Sequence, residues 1–119
     1  MGMFLRRGTV KKDFTVDLSG DMVSEKAYAE IDGVLYTQAG THVFPEGTSI
    51  TVFCYCNAIN NFSDSPTSTI TMNGTIVKKA KKREETIHFT FPLSGNTSIN
   101  FIVKTFGKIR NYHCDITTN

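Results

Sequence analysis

Residues 27–36 are Ala27-Tyr28-Ala29-Glu30-Ile31-Asp32-Gly33-Val34-Leu35-Tyr36, and this stretch decides the fold class. Two short segments rich in apolar and aromatic residues flank a central Asp-Gly pair. Asp-Gly accepts the positive φ angles of a two-residue type I′ turn, which joins neighbouring antiparallel strands. The stretch therefore predicts a β-hairpin.

Similar segments and turns continue toward the C-terminus. Pro45-Glu46-Gly47 predicts a turn into residues 49–56, whose β-branched and aromatic content is typical of a central strand. Asn73-Gly74 lies between the apolar segments 69–72 and 75–77 and predicts a second hairpin. Antiparallel pairing thus extends well beyond the first hairpin.

Five further segments complete the predicted β-structure, and they are 14–18, 41–44, 86–91, 97–105 and 109–117. No useful stretch has a helical period, and the 24 Thr and Ser residues suit half-buried pleated surfaces better than helices. The sequence predicts an all-β fold, an antiparallel two-sheet Ig-like sandwich of about eight or nine strands. A small barrel is the alternative.

The length of 119 residues predicts one domain. Residues 1–12 are basic and lack a sustained period, so we expect an N-terminal arm followed by a single domain over 13–119. Residues 57–67 are rich in Asn, Ser, Asp and Pro and predict a long surface loop. No apolar run approaches the ~20 residues of a membrane span, and no secretory signal is visible.

The two hairpins begin similar series of residues. Asp32-Gly33 leads to His42, a Pro turn and a Thr-rich strand, and Asn73-Gly74 leads to His88, a Pro turn and another such strand. An internal duplication is one explanation of the similarity. Sandwiches also reuse turn chemistry without duplication, so both explanations stay open.

Cysteine and histidine are the residue types of this chain that could carry metal-binding or nucleophilic chemistry. Cys54 and Cys56 are two apart on a predicted strand and share a face, whereas His113 and Cys114 are adjacent and face opposite sides. An odd count of three cysteines leaves at least one thiol unpaired within the chain, and buried thiols are preferred to a zinc site. We expect no metal, no cofactor and no catalytic residue, so the chain is not expected to be an enzyme.

Two segments are candidate contacts with a partner. Residues 78–83 place five positive charges in six positions and suit a polyanion such as nucleic acid or an acidic glycan. A nuclear-import signal, or lysines that protect a strand edge, are the alternatives. The second segment is the predicted loop, because long loops of sandwiches often carry recognition. The candidate partner-binding residues are Lys78, Lys79, Lys81, Lys82, Arg83, Asn60, Asn61 and Phe62.

The segments 16–20, 27–36, 44–52 and 69–75 together resemble Ig-like domains in phage and prophage structural proteins of Gram-positive bacteria. In that family an Asp-Gly or Asn-Gly hairpin precedes a Pro/Glu-Gly turn and a Thr-rich strand. The basic run and the paired cysteines depart from the family pattern. The resemblance implies a virion component of tail or capsid that acts in assembly, decoration or host-surface attachment. Its implied partners are other virion proteins, the host cell surface or further copies of the chain.

Overall fold

Ten β-strands form the regular structure of the described residues. The computed structural model describes residues 12–56, 68–81, 84–104 and 111–119. The strands are β1 (Asp13–Gly20), β2 (Ala27–Ile31), β3 (Val34–Tyr36), β4 (Gly40–Pro45), β5 (Ser49–Cys56), β6 (Thr69–Met72), β7 (Thr75–Lys79), β8 (Glu85–Pro92), β9 (Thr97–Lys104) and β10 (Asn111–Thr118). These ranges contain no helix. The all-β prediction is confirmed, with ten strands in place of eight or nine.

The strands form two antiparallel sheets. One sheet has six strands in the order β4-β1-β10-β9-β6-β7, and the other has four in the order β3-β2-β5-β8. Inward-facing residues of both sheets meet in one core, as in β5, where burial alternates along the strand and Ile50, Val52, Cys54 and Cys56 are fully buried. Phe101 of β9 is the largest of the fully buried side chains. The two-sheet sandwich is therefore the architecture, and not the small barrel.

Most strands follow the order of an Ig-like sandwich. In the order of the chain, β2, β5 and β8 take the places of strands A, B and E in one sheet. Strands β10, β9, β6 and β7 take the places of G, F, C and C′ in the other. Strands β3 and β4 are inserted between A and B, and β1 precedes them. The insertion places β3 and β4 at sheet edges.

The two series of residues noted in the sequence have the same topology. Strands β2, β3, β4 and β5 correspond to β6, β7, β8 and β9, with the two sheets exchanged. In each series the second strand pairs with the first, the first also pairs with the fourth, and the third crosses to the edge of the opposite sheet. This shared connectivity favours internal duplication over a chance similarity of turns.

Hydrogen bonds repeat between the two series as well. Asp32 donates its backbone N–H to the carbonyl of Ser49 at 3.3 Å, and Asn73 donates to Ser98 at 2.8 Å. Asp32 and Asn73 both have positive φ, as the I′ turns require. The two Pro turns also meet, because Gly47 donates its N–H to the carbonyl of Leu93 at 2.9 Å.

The predicted arm and the predicted long loop fall mainly outside the described residues. Strand β1 begins at Asp13, and only Lys12 of the arm is described, where its carbonyl accepts the N–H of Glu46 at 2.7 Å. All of 57–67 lies outside the described ranges. The division into an arm and one domain stays a prediction.

Candidate interaction surfaces

The three thiols lie in the core. Cys54 and Cys56 share the inner face of β5 as predicted, and Cys114 points inward from β10. None of the three forms a disulfide. Burial raises the pKa of Cys114 to about 12 and raises the pKa of Cys54 as well. A neutral, enclosed thiol is a poor nucleophile, because the thiolate is the reactive form.

His42 and His88 occupy unlike positions, although their sequence contexts match. His42 is half-buried on β4, and its ring lies 4.7 Å from that of Tyr36. His88 is exposed on β8, beside Phe53 at 6.0 Å. The second series has one extra residue between the histidine and its proline, and a one-residue shift reverses the face of a strand. The two histidines therefore have different structural roles, although the two series of residues match in sequence.

His113 faces solvent while Cys114 is buried, as the sequence predicts. The Nε2 atom of His113 lies 3.2 Å from Nδ2 of Asn100, and Asn100 also donates to Oδ1 of Asp115 at 2.7 Å. These polar contacts occupy the outer face of the six-stranded sheet. Among the described residues, no group of three or more His, Cys, Asp or Glu is placed to hold a metal ion. In the same ranges no helix is long and apolar enough to cross a membrane.

The described part of the basic run lies at a sheet edge. Lys78 and Lys79 are exposed on β7, which pairs only with β6 among the described strands. Lys81 follows the strand, is also exposed, and donates its backbone N–H to Glu85 at 2.9 Å. The structure thus places lysines on a free edge, where charge opposes pairing with other strands. Lys82, Arg83, Asn60, Asn61 and Phe62 lie outside the described residues.

An aromatic row on the outer face of the four-stranded sheet was not predicted as a surface. The register aligns Tyr28, Phe53 and His88 on three neighbouring strands. Tyr28 and Phe53 stack with ring centroids 4.8 Å apart, and Nζ of Lys26 lies 4.6 Å from the centroid of the Tyr55 ring. This stacking covers one face of each of the first two rings. We interpret the row as cross-strand stabilisation of the sheet.

An open hollow of about 440 Å³ lies near the first hairpin turn, lined by Glu30, Asp32, Gly33, Ser49 and Thr51. Its lining combines the carboxylates of Glu30 and Asp32 with the hydroxyls of Ser49 and Thr51. The lining contains neither histidine nor cysteine.

Three of the four strongly exposed large apolar side chains in the described residues belong to the edge strands β3 and β4, and we call residues 34–45 the neutral side. Tyr36 of β3 packs edge-on against Phe44 of β4 at 6.2 Å, so the two edge strands lie together. Val34, Leu35 and Val43 are 53%, 59% and 60% exposed. Residues 34–45 contain no Asp, Glu, Lys or Arg. Large exposed apolar groups without charge are a feature of interaction surfaces.

The opposite side carries charge, and we call it the lysine side, formed by β7, β8 and Lys81. Strands β7 and β8 lie next to each other there. Ile76 is the one further large apolar residue among the described ranges that is strongly exposed, at 57%, and Lys78 and Lys79 follow it on the same strand. The two sides of one sandwich therefore differ in the partners they can accept.

Comparison with known proteins gives no match: no family model fits the chain, and no curated sequence or solved structure is significantly similar. The resemblance to phage Ig-like domains consequently stays a prediction from the sequence.

Proposed function

We propose that the chain is a non-catalytic structural module of a bacteriophage or prophage particle, acting in the tail or as a capsid decoration. Its place is the virion, where it contacts other virion proteins, further copies of itself or the host surface. The chain acts through surfaces and performs no reaction.

The neutral side is the observation that carries this proposal. Val34, Leu35 and Val43 expose apolar surface at two adjacent sheet edges, where a partner gains both apolar burial and backbone pairing. The Ig-like strand order supports the proposal at the level of fold, because sandwiches of this kind serve as binding and assembly modules. The buried, neutral thiols of Cys54 and Cys114 agree with a module that has no nucleophilic chemistry.

Purified particles test the placement in the virion. Particles induced from the strain that encodes the chain are banded by density, stripped of loosely bound protein with high salt, and quantified by mass spectrometry. We expect the chain at a fixed ratio to the major capsid or tail protein. Its absence from intact, infectious particles contradicts the proposal.

A polyanion-binding role is the second candidate, favoured by the exposure of Lys78, Lys79 and Lys81. Such binding depends on salt because counterions are released from the polyanion. Replacing Lys78, Lys79, Lys81, Lys82 and Arg83 by Ser is expected to abolish binding to heparin or DNA if this role is correct. Wild-type protein that binds neither polymer at about 50 mM salt eliminates the role.

A further inference from the structure

We propose that the free edge of β4 pairs with β4 of a second copy of the chain, antiparallel and around a two-fold axis. The pairing joins two six-stranded sheets into one continuous sheet across a dimer. This inference rests on the proposed assembly role and names its first partner.

Alternate residues of β4 direct their backbone N–H and C=O groups away from β1. Thr15 exchanges hydrogen bonds with Asn119 on the β10 side of β1, at 3.1 and 3.0 Å. The backbone groups of Val16 therefore face β4, where His42 is the partner in the register. His42 and its even-numbered neighbours in β4 use their N–H and C=O groups toward β1, which leaves those of Val43 directed outward.

Outward groups are available along the length of β4. Thr41 and Val43 each offer one N–H and one C=O, and Pro45 offers its C=O. Proline lacks an N–H, and at Pro45 that group would point away from β1, so its absence costs the sheet no hydrogen bond. Within the described part of the chain, β4 pairs only with β1. An antiparallel copy of β4 centred on Val43 lets the two Val43 residues exchange both hydrogen bonds and lets Thr41 donate its N–H to the carbonyl of Pro45 in the other copy. The carbonyl of Thr41 lies opposite that proline and stays in water.

The distribution of charge favours β4, and not β7, as the edge that pairs with a second copy. In a two-fold pairing each strand meets itself, so a charged edge places like charges near one another and opposes association. Strand β7 carries Lys78 and Lys79 and is unsuited to self-pairing. Strand β4 has no charged residue, and β3 is only three residues long, from Val34 to Tyr36.

Apolar burial adds to the backbone pairing. Val43 lies on the outer face of β4, opposite Thr15 in the register, and is 60% exposed in the single chain. Val34 and Leu35 lie on the neighbouring edge strand, but Leu35 is paired with Glu30 in the register and faces outward from the four-stranded sheet. The two-fold pairing places the Val43 side chains of both copies next to each other on the joined six-stranded sheet and removes part of their apolar surface from water.

Matched edge substitutions test the pairing by sedimentation velocity from about 1 to 300 µM. Val43→Lys places a charge at the proposed axis, and Ile76→Lys places one on β7 at nearly equal exposure. We expect the wild type and Ile76→Lys to dimerise and Val43→Lys to weaken the dimer at least tenfold. Equal dimerisation by all three proteins, or a monomeric wild type at every concentration, overturns the proposal.

Amide hydrogen exchange tests the β4 pairing in the wild-type protein, without a substitution. Amide hydrogen exchange of Thr41 and Val43 is expected to slow at least tenfold when the wild type is concentrated into the dimer range. The amides of His42 and Phe44, which face β1, are the internal control and change little. Fast exchange at Thr41 and Val43 in a demonstrated dimer overturns β4 pairing. Neither result bears on whether the chain is found in particles, so the proposed virion role is judged separately.

A more conservative variant at the same position tests the pairing if Val43→Lys fails to fold. Val43→Thr keeps the β-branched shape while reducing apolar surface, and circular dichroism with thermal melting verifies the fold of every variant. A folded Val43→Thr protein with a dimer affinity between those of the wild type and Val43→Lys supports the pairing. A folded Val43→Lys protein that dimerises like the wild type contradicts it.

Discussion

Gly20 ends β1 where the chain passes very close to β10. Its φ is +93°, and a Cβ added there would lie 2.8 Å from Cα of Cys114. Gly33 has a φ of +81° in the first hairpin turn, but an added Cβ would meet nothing within 4 Å. An added side chain at Gly33 would meet only backbone strain. At Gly20 it would meet both backbone strain and a steric conflict with β10.

Substituting these glycines is expected to give unequal losses of stability. Gly33→Ala lowers the free energy of unfolding by about 1 kcal/mol through the left-handed backbone alone. Gly20→Ala lowers it by about 3 kcal/mol, because the clash with β10 adds to that strain. Urea denaturation measures both values. Equal losses would show that β10 does not approach Gly20 this closely.

The buried thiols predict a decline of stability at alkaline pH. Burial raises the pKa of Cys54 and Cys114 above the ordinary value of 9.0, so the folded state keeps protons that the unfolded state releases. The protonated thiols make their full contribution to the free energy of unfolding below about pH 9. Above that pH the free energy of unfolding falls by about 1.4 kcal/mol per pH unit for each thiol. Denaturation at pH 8 to 10.5 measures the slope.

A double variant isolates the thiols from other alkaline titrations. Cys54→Ala/Cys114→Ala is expected to be less stable at pH 8 and to show a shallower decline above pH 9 than the wild type. An unchanged slope would mean that the thiols are not responsible. In the native wild-type protein at pH 8, both thiols are expected to react with a thiol reagent no faster than global unfolding exposes them.

At the scale of elements, β7 shows how lysines act at an edge. Lys78 and Lys79 follow the exposed Ile76 on β7, which pairs with no strand besides β6 in the described ranges. We expect Lys78→Thr/Lys79→Thr to increase aggregation, because the edge then becomes a neutral β-strand that pairs with other chains. Light scattering during concentration or heating measures the effect.

The control for this prediction removes equal charge outside β7. Lys26→Thr/Lys81→Thr lowers the net charge by the same amount without changing β7, and it is expected to aggregate like the wild type. If both double variants aggregate equally, net charge and not edge protection is responsible. A loss of heparin binding in both variants would instead favour the polyanion role.

The local sequence pattern predicted the strands well. Neighbouring residues determine both the alternation along segments such as β5 and the Asp-Gly and Asn-Gly turns. The edges were not predictable in the same way. Strand order depends on pairs far apart in the chain, such as Leu18 with Ile116, and one extra residue before Pro92 turns His88 outward where His42 points inward. The neutral side emerged only when strand order placed β3 and β4 together.

At the scale of the whole molecule, two similar halves form a sandwich with two unlike sides. The halves share connectivity and turn hydrogen bonds, yet β3 and β4 present Leu35 and Val43 whereas β7 presents Lys78 and Lys79. Duplication followed by divergence of the edges accounts for this arrangement. In the proposed assembly, the neutral side pairs with a second copy and the lysine side resists pairing.

The solution mass of the wild-type chain, measured by light scattering at about 50 mM and 500 mM salt, tests this account most directly. Backbone pairing and apolar burial depend little on ionic strength, so we predict the same dimer at both salt concentrations. A monomer at both concentrations, or association that disappears at high salt, would contradict assembly through the neutral side.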